Sequence, residues 1–322
     1  MTEFRTRALS LGKKLLWPAI GCLALVISVW LLWHEIRGIS LEDLGESLAA
    51  IGPGQWFLSL LATLGAYAAL SAYDHLALAH LRRHVSWPFV SAVSATTYAI
   101  SHSLGASALT GAVVRYRAYS SKGLSGTEVG LLVTFCSITF VLGTVLLMGL
   151  VLVFSADLDA RFAGLLPLEA SRVLGGILIG LVVLYVIGSA LKLRPLRIGK
   201  VSVEYPSLSI ALRQVAVAPI EIIFAAAIIY FALPAESNPG FVVVLAVFLA
   251  SFSAALISHA PGGLGVLELI FVTALPEVRP EDVLAALVVF RVLYLIIPFL
   301  IALALVFAFE RTQFLKERAL GH

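Results

Sequence analysis

The sequence predicts an all-α polytopic membrane protein: six long spanning helices plus two interrupted hairpins that form an inverted-topology repeat. Three observations predict it. Of the 322 residues, 60% are hydrophobic and 13% charged, against roughly 25% charged in a soluble domain; the mean hydropathy is +1.01. A short motif occurs twice, as Ile100-Ser101-His102 followed by Gly105 and as Ile257-Ser258-His259 followed by Gly262, offset by 157 residues in both cases. The basic residues also fall mainly on one side of the membrane if both motifs mark turns.

The elements follow in order. Lys13-Lys14 precedes the apolar run 15–34, and no small-x-small cleavage site follows. The run is long enough to span, so an uncleaved first helix is expected. Spans are predicted at 56–80, 129–154, 173–191, 214–233 and 283–309. Segments 87–119 and 241–275 are apolar but interrupted, at Ser101-His102-Ser103-Leu104-Gly105 and Ser258-His259-Ala260-Pro261-Gly262-Gly263. Gly265 completes the second break. Polar Ser-His pairs with glycine break a helix where lipid penalises broken helices. Each segment therefore forms a re-entrant hairpin or two short paired helices. The longest polar stretch, Lys192 to Gln214, is too short for a soluble domain, so one transmembrane domain over 1–322 is expected.

Cytoplasmic loops carry the excess of Lys and Arg. With both hairpins returning to their side of entry, one side holds Arg5, Arg7, Lys13, Lys14, Arg82, Arg83, Arg115, Arg117, Lys122, the basic 192–213 loop and the basic C-terminus. The other holds Arg37, Arg161, Arg172 and Arg279. Both termini are thus expected in the cytoplasm. The hairpins then open to opposite faces, and 87–154 repeats as 241–309 with inverted topology, an arrangement that marks transport sites.

Few ionisable residues lie at membrane depth: Asp74, His75, His102, Glu221, His259, Glu268 and Arg291. Such residues are functional candidates by default. Arg291 needs an anion, either Glu268 or Glu221 or a phosphate that guanidinium meets bidentately. Glu268 closes Pro261-Gly262-Gly263-Leu264-Gly265, a turn opening a helix whose N–H groups suit an anion. Glu221 follows Pro219, as a proton-coupling group or as a cap for the kink. His102 and His259 are expected to satisfy backbone groups freed at the breaks, with proton relay as the alternative reading. Asp74 and His75 fall near Arg82 and Arg83 and suggest an interfacial network. Arg115, Tyr116, Arg117, Tyr119 and Lys122 suit anionic headgroups on the cytoplasmic side. Cys22 and Cys136 lie in apolar runs as packing residues, with no disulfide or metal site implied.

The stretches SHSLGASALTGAVVRYRAYSSKGLS (101–125), PGGLGVLE (261–268) and RVLYLIIPF (291–299), with Glu221 and the Tyr230-to-Pro234 end of its span, resemble the transmembrane flippase region of bacterial lysylphosphatidylglycerol synthases. The resemblance runs from about residue 20 to 310. It implies a bacterial inner (cytoplasmic) membrane protein that moves an aminoacylated phospholipid between leaflets. In that family a soluble aminoacyltransferase domain follows; this chain ends at His322, so a stand-alone relative is expected. The resemblance points to Arg115, Arg117, Glu221, Glu268 and Arg291 as the headgroup residues.

Two functions compete. A lipid translocator would pass a phosphate headgroup through a polar cleft between the hairpins. A proton- or ion-coupled transporter would instead carry a small soluble anion. An enzyme is not expected, since no His-Glu-x-x-His, Gly-x-Ser-x-Gly or phosphate-binding Gly-Lys-Ser/Thr motif occurs. No cofactor and no nucleic acid are implied. Expected partners are membrane lipids, anionic or aminoacylated phospholipids included. Gly143, Gly149, Gly175, Gly176 and Gly180 permit close helix contacts, within the chain or in a homo-oligomer.

Overall fold

The computed structural model describes residues 40–104, 107–154, 168–192, 196–198, 201–203, 205–258 and 263–320. The predicted first span 15–34, Cys22, and Gly105, His259, Pro261 and Gly262 of the breaks lie outside them.

Helix α1 (Leu41–Ala50) precedes α2 (Pro53–His80). The first interrupted segment is two packed helices, α3 (Trp87–Leu104) and α4 (Ser107–Ser120). Helices α5 (Gly126–Phe154) and α6 (Leu168–Ala190) follow. Within the polar stretch, β1 (Leu196–Ile198) pairs antiparallel with β2 (Val201–Val203), Leu196 opposite Val203. Helix α7 (Leu208–Ala232) leads to α8 (Phe241–Ser258) and α9 (Val266–Ala274), the two helices of the second interrupted segment. Helix α10 (Pro280–Phe290), a π-helical turn (Arg291–Ile296) and α11 (Ile297–Leu320) run on without a gap.

Six described helical stretches are long and apolar enough to cross a membrane: Pro53–His80, Gly126–Phe154, Ala170–Ala190, Leu208–Ala232, Phe241–Ser258 and Pro280–Thr312. The chain is an all-α polytopic membrane protein, and the short ribbon does not alter that class. Five of the six stretches match predicted spans. The sixth, α8, was expected only as half of a hairpin; its apolar run is long enough to span before the break.

Local chemistry fixes the helix starts. Ser40 caps α1, its hydroxyl accepting from the Asp43 N–H while Asp43 accepts from the Ser40 N–H. The Ser40 hydroxyl, donating to the Asp43 carboxylate at 2.7 Å, and the Ser40 N–H hold that carboxyl below the usual carboxylate range. Ser125 and Glu128 cap α5 in the same reciprocal way.

Helices α2 and α7 form the centre. Ala62, Ala66 and Ala69 of α2 recur at helical spacing and are buried, as are Ala218, Ala225 and Ala226 of α7. In lipid, small residues let backbones approach closely and gain dispersion contact. The Ser59 hydroxyl donates across to the Ile228 carbonyl at 3.1 Å. Gly143 lets α5 press on the Pro219 kink: a Cβ there would lie 2.3 Å from the Ala218 oxygen. Gly149 and Gly175 face each other where α5 crosses α6, while Gly176 and Gly180 face open space. Around this centre, exposed Val173, Ile177, Leu184 and Phe307 form an apolar outer surface, as lipid contact requires.

The π-helical turn has a cause in the sequence. Pro298 has no N–H to give the carbonyl of Tyr294, four residues earlier. The Tyr67 hydroxyl donates to that carbonyl instead, at 3.0 Å. Single π turns inside α-helices are rare and occur often at functional sites.

Candidate functional site

Arg115 and Arg117 are two residues apart on α4, so their side chains leave on different faces. Arg115 turns inward and is 4% exposed. Its Nε donates to Asp74 Oδ2 at 3.1 Å and its Nη2 to Asp74 Oδ1 at 2.7 Å. The Tyr119 hydroxyl donates to Asp74 at 2.9 Å, and Cys136 Sγ lies 3.4 Å from it. The guanidinium sits 4.7 Å over the Tyr98 ring. The expected interfacial network of Asp74 and His75 with Arg82 and Arg83 is corrected here. Asp74 is fully buried on Arg115, His75 stacks on Trp87 at 4.8 Å, and Arg83 pairs with Glu128 at 2.6 Å. Asp74 lies six residues before the end of α2, and its rotation points it inward.

Arg117 turns outward. Its Nε and Nη2 donate to the two carboxylate oxygens of Glu310 on α11, both at 2.9 Å. Beside this pair runs a groove between α3, α4 and α11 with a volume of about 640 Å³. Phe89, Val93, Val113, Val114, Leu305 and Val306 are among its apolar walls, and Arg117, Lys122, Glu310 and Thr312 stand at its polar end. The Lys122 ammonium rests 4.7 Å over the Phe89 ring. Val113 is 68% exposed, so the groove opens on the apolar flank.

The π turn gathers the other three candidates. Arg291 begins it and pairs with Glu268, its Nε donating to Oε1 at 2.9 Å and its Nη2 to the same oxygen. The second oxygen, Oε2, accepts the Gly265 N–H at 2.8 Å. The helix N-terminus expected to hold an anion thus holds the carboxylate of its own third residue. Gly263 and Gly265 have φ of +67° and +78°, a region that favours glycine, so the predicted turn chemistry is present. The Tyr294 hydroxyl, three residues after Arg291, donates to Glu221. Glu221 therefore does not cap the Pro219 kink; the Tyr73 hydroxyl meets the Ala218 carbonyl there at 2.5 Å.

His102 ends α3 and links the two groups. Its ring stacks on Tyr294 at 5.5 Å and lies 5.7 Å from Tyr98, the ring beneath Arg115. Its buried Nδ1 has no hydrogen-bond partner, and neither do Thr97 Oγ1 and Ser101 Oγ. Nδ1 therefore satisfies none of the backbone groups freed at the break. Ser258 Oγ, at the second break, donates to the Ala255 carbonyl at 3.0 Å.

Of the five headgroup candidates, the structure brings Glu221, Glu268 and Arg291 together on the π turn. It sets Arg115 with Asp74 and Arg117 with Glu310. Tyr294, Tyr98 and Glu310 were not singled out from the sequence. Tyr294 had a signal, standing three residues from Arg291 with Pro298 four residues beyond. Glu310 had none beyond its charge.

A scan against protein families matches the lysylphosphatidylglycerol synthase TM region over residues 21–302. An uncharacterized protein of Synechocystis is 28% identical over 95% of both chains. The inner membrane protein YbhN of Escherichia coli is 31% identical over 76% of this chain and 78% of its own. A phosphatidylglycerol lysyltransferase of Staphylococcus haemolyticus is 25% identical over 94% of this chain, which spans 34% of that longer protein. The chain therefore belongs to the family of the lysylphosphatidylglycerol synthase TM region.

Proposed function

We propose that this protein is a lipid translocator of the bacterial inner membrane, with both termini in the cytoplasm. It moves a phospholipid, or a related lipid with a phosphate headgroup, between leaflets. The observation that carries this reading is the groove between α3, α4 and α11. It pairs apolar walls open to the membrane flank with Arg117 and Lys122 at the end that the charge distribution assigns to the cytoplasm. An acyl chain suits such walls, and a phosphate suits such a rim.

Family membership and the inner-membrane relative support the same reading. So do Arg117 and Arg291. Each pairs with a carboxylate, and a phosphate can take a carboxylate's place on a guanidinium bidentately. In this account Arg117 exchanges Glu310 for the headgroup at entry, and Arg291 exchanges Glu268 for it deeper in the membrane. Arg115 and Asp74 brace the first helix pair. The two interrupted segments, as parts of an inverted repeat over 87–154 and 241–309, let the cleft face either side in turn.

The test is leaflet-resolved movement of a fluorescent phospholipid in proteoliposomes. Wild-type protein accelerates movement over protein-free vesicles, and Arg291→Ala and Glu268→Ala abolish the acceleration. Movement unchanged by both substitutions would overturn the assignment.

A further inference from the structure

Three carboxyl side chains lie buried in the described membrane interior: Asp74, Glu221 and Glu268. Two have a cation. Asp74 holds Arg115, and Glu268 holds Arg291. Glu221, 3% exposed, receives the neutral Tyr294 hydroxyl and has no ion pair among the described residues. An unbalanced charge at this depth costs at least a few kcal/mol. A proton removes that charge without moving any other group.

Among the described residues, no cation pairs with Glu221. Helix α2 presents Tyr67 and Tyr73, and the π turn presents Tyr294. Helix α8 contains no titratable side chain. On α5, Cys136 is engaged with Asp74 and Glu128 with Arg83. On α6, Tyr185 donates to Gln214, and on α10 Glu281 and Asp282 pair with Arg279. Beside Tyr294 stands His102, with its buried Nδ1 unpartnered.

We propose that Glu221 carries the proton that drives transport, and that the π turn ties this proton to the Arg291–Glu268 pair. The inference rests on the translocator reading and supplies its energy source. The tie is mechanical. Tyr294 and Arg291 belong to one six-residue π turn, so a shift that frees Tyr294 from Glu221 also moves the backbone bearing Arg291. A proton on Glu221 keeps that carboxyl neutral. Its loss leaves a carboxylate that tightens on the Tyr294 hydroxyl and shifts the turn. Each cycle takes one proton from one aqueous side and gives it to the other.

The experiment uses proteoliposomes with a fluorescent phosphatidylglycerol and an imposed pH difference, read as the steady-state leaflet ratio. One proton per lipid displaces that ratio about tenfold per pH unit. Wild type is expected to show this displacement, and to lose it when nigericin collapses the gradient. Glu221→Gln keeps an acceptor for Tyr294 and is expected to show none. Lipid that crosses in wild type with an undisplaced ratio overturns the proton proposal and leaves the translocator reading standing. If wild type moves no lipid, that reading fails instead. Labelling by dicyclohexylcarbodiimide, which attacks protonated carboxyls in apolar surroundings, then decides the proton. Modification at Glu221 that declines as pH rises supports it, and an unmodified Glu221 overturns it.

Discussion

Replacing Asp74 with alanine tests the packing of the first helix pair. The substitution leaves the Arg115 guanidinium, 4% exposed, without its anion. Breaking a buried pair from one side costs about 3–5 kcal/mol. The Tyr119 hydroxyl also loses its acceptor, for about 1–3 kcal/mol more. The Tyr98 ring stays beneath the guanidinium, but that attraction exists in both proteins and offsets nothing. The sum is about 5 kcal/mol, or a drop of about 10 °C in the unfolding midpoint for a chain of this size. The assay is thermal unfolding in detergent. The double variant Asp74→Leu, Arg115→Met removes both charges, and should recover all but about 2 kcal/mol, because apolar replacement of a buried pair is close to neutral. An Asp74→Ala protein within about 1 kcal/mol of wild type, or a double variant as unstable as the single, would refute the reasoning.

Three further outcomes follow from the same geometry. Gly143→Ala drives a methyl against the Ala218 oxygen, 2.3 Å from the ideal Cβ position, and should cost about 1–3 kcal/mol in the same unfolding assay. Gly265→Ala places a side chain at a φ of +78° and should cost about 1–2 kcal/mol, again read as a lowered midpoint. Val113→Trp fills the apolar groove, and should reduce phospholipid retained through purification, measured by mass spectrometry, with the unfolding midpoint unchanged.

Much of this architecture is legible in the sequence because lipid leaves few alternatives. Apolar runs of sufficient length must be helices, and α2, α5, α6, α7 and the last span lie where those runs lie. Both breaks are legible too, since Ser-His and glycine have no other reason to interrupt such runs. What one sequence does not reveal is rotation about each helix axis. Asp74 and Arg115 are 41 residues apart, and only the packing of α2 against α3 and α4 turns them toward each other. The divergence of Arg115 and Arg117, by contrast, follows from their spacing of two. The π turn lies between these cases. Pro298 signals an irregularity, but the side chains it presents depend on Tyr67 from a distant helix.

The central claim is that a lipid, and not a soluble anion, is the cargo. The most direct measurement follows both in one preparation: leaflet transfer of a fluorescent phosphatidylglycerol, and uptake of radiolabelled glycerol phosphate, in wild-type proteoliposomes. The account predicts lipid transfer well above protein-free vesicles and glycerol phosphate uptake at their background. Uptake of glycerol phosphate without accelerated lipid transfer would contradict it.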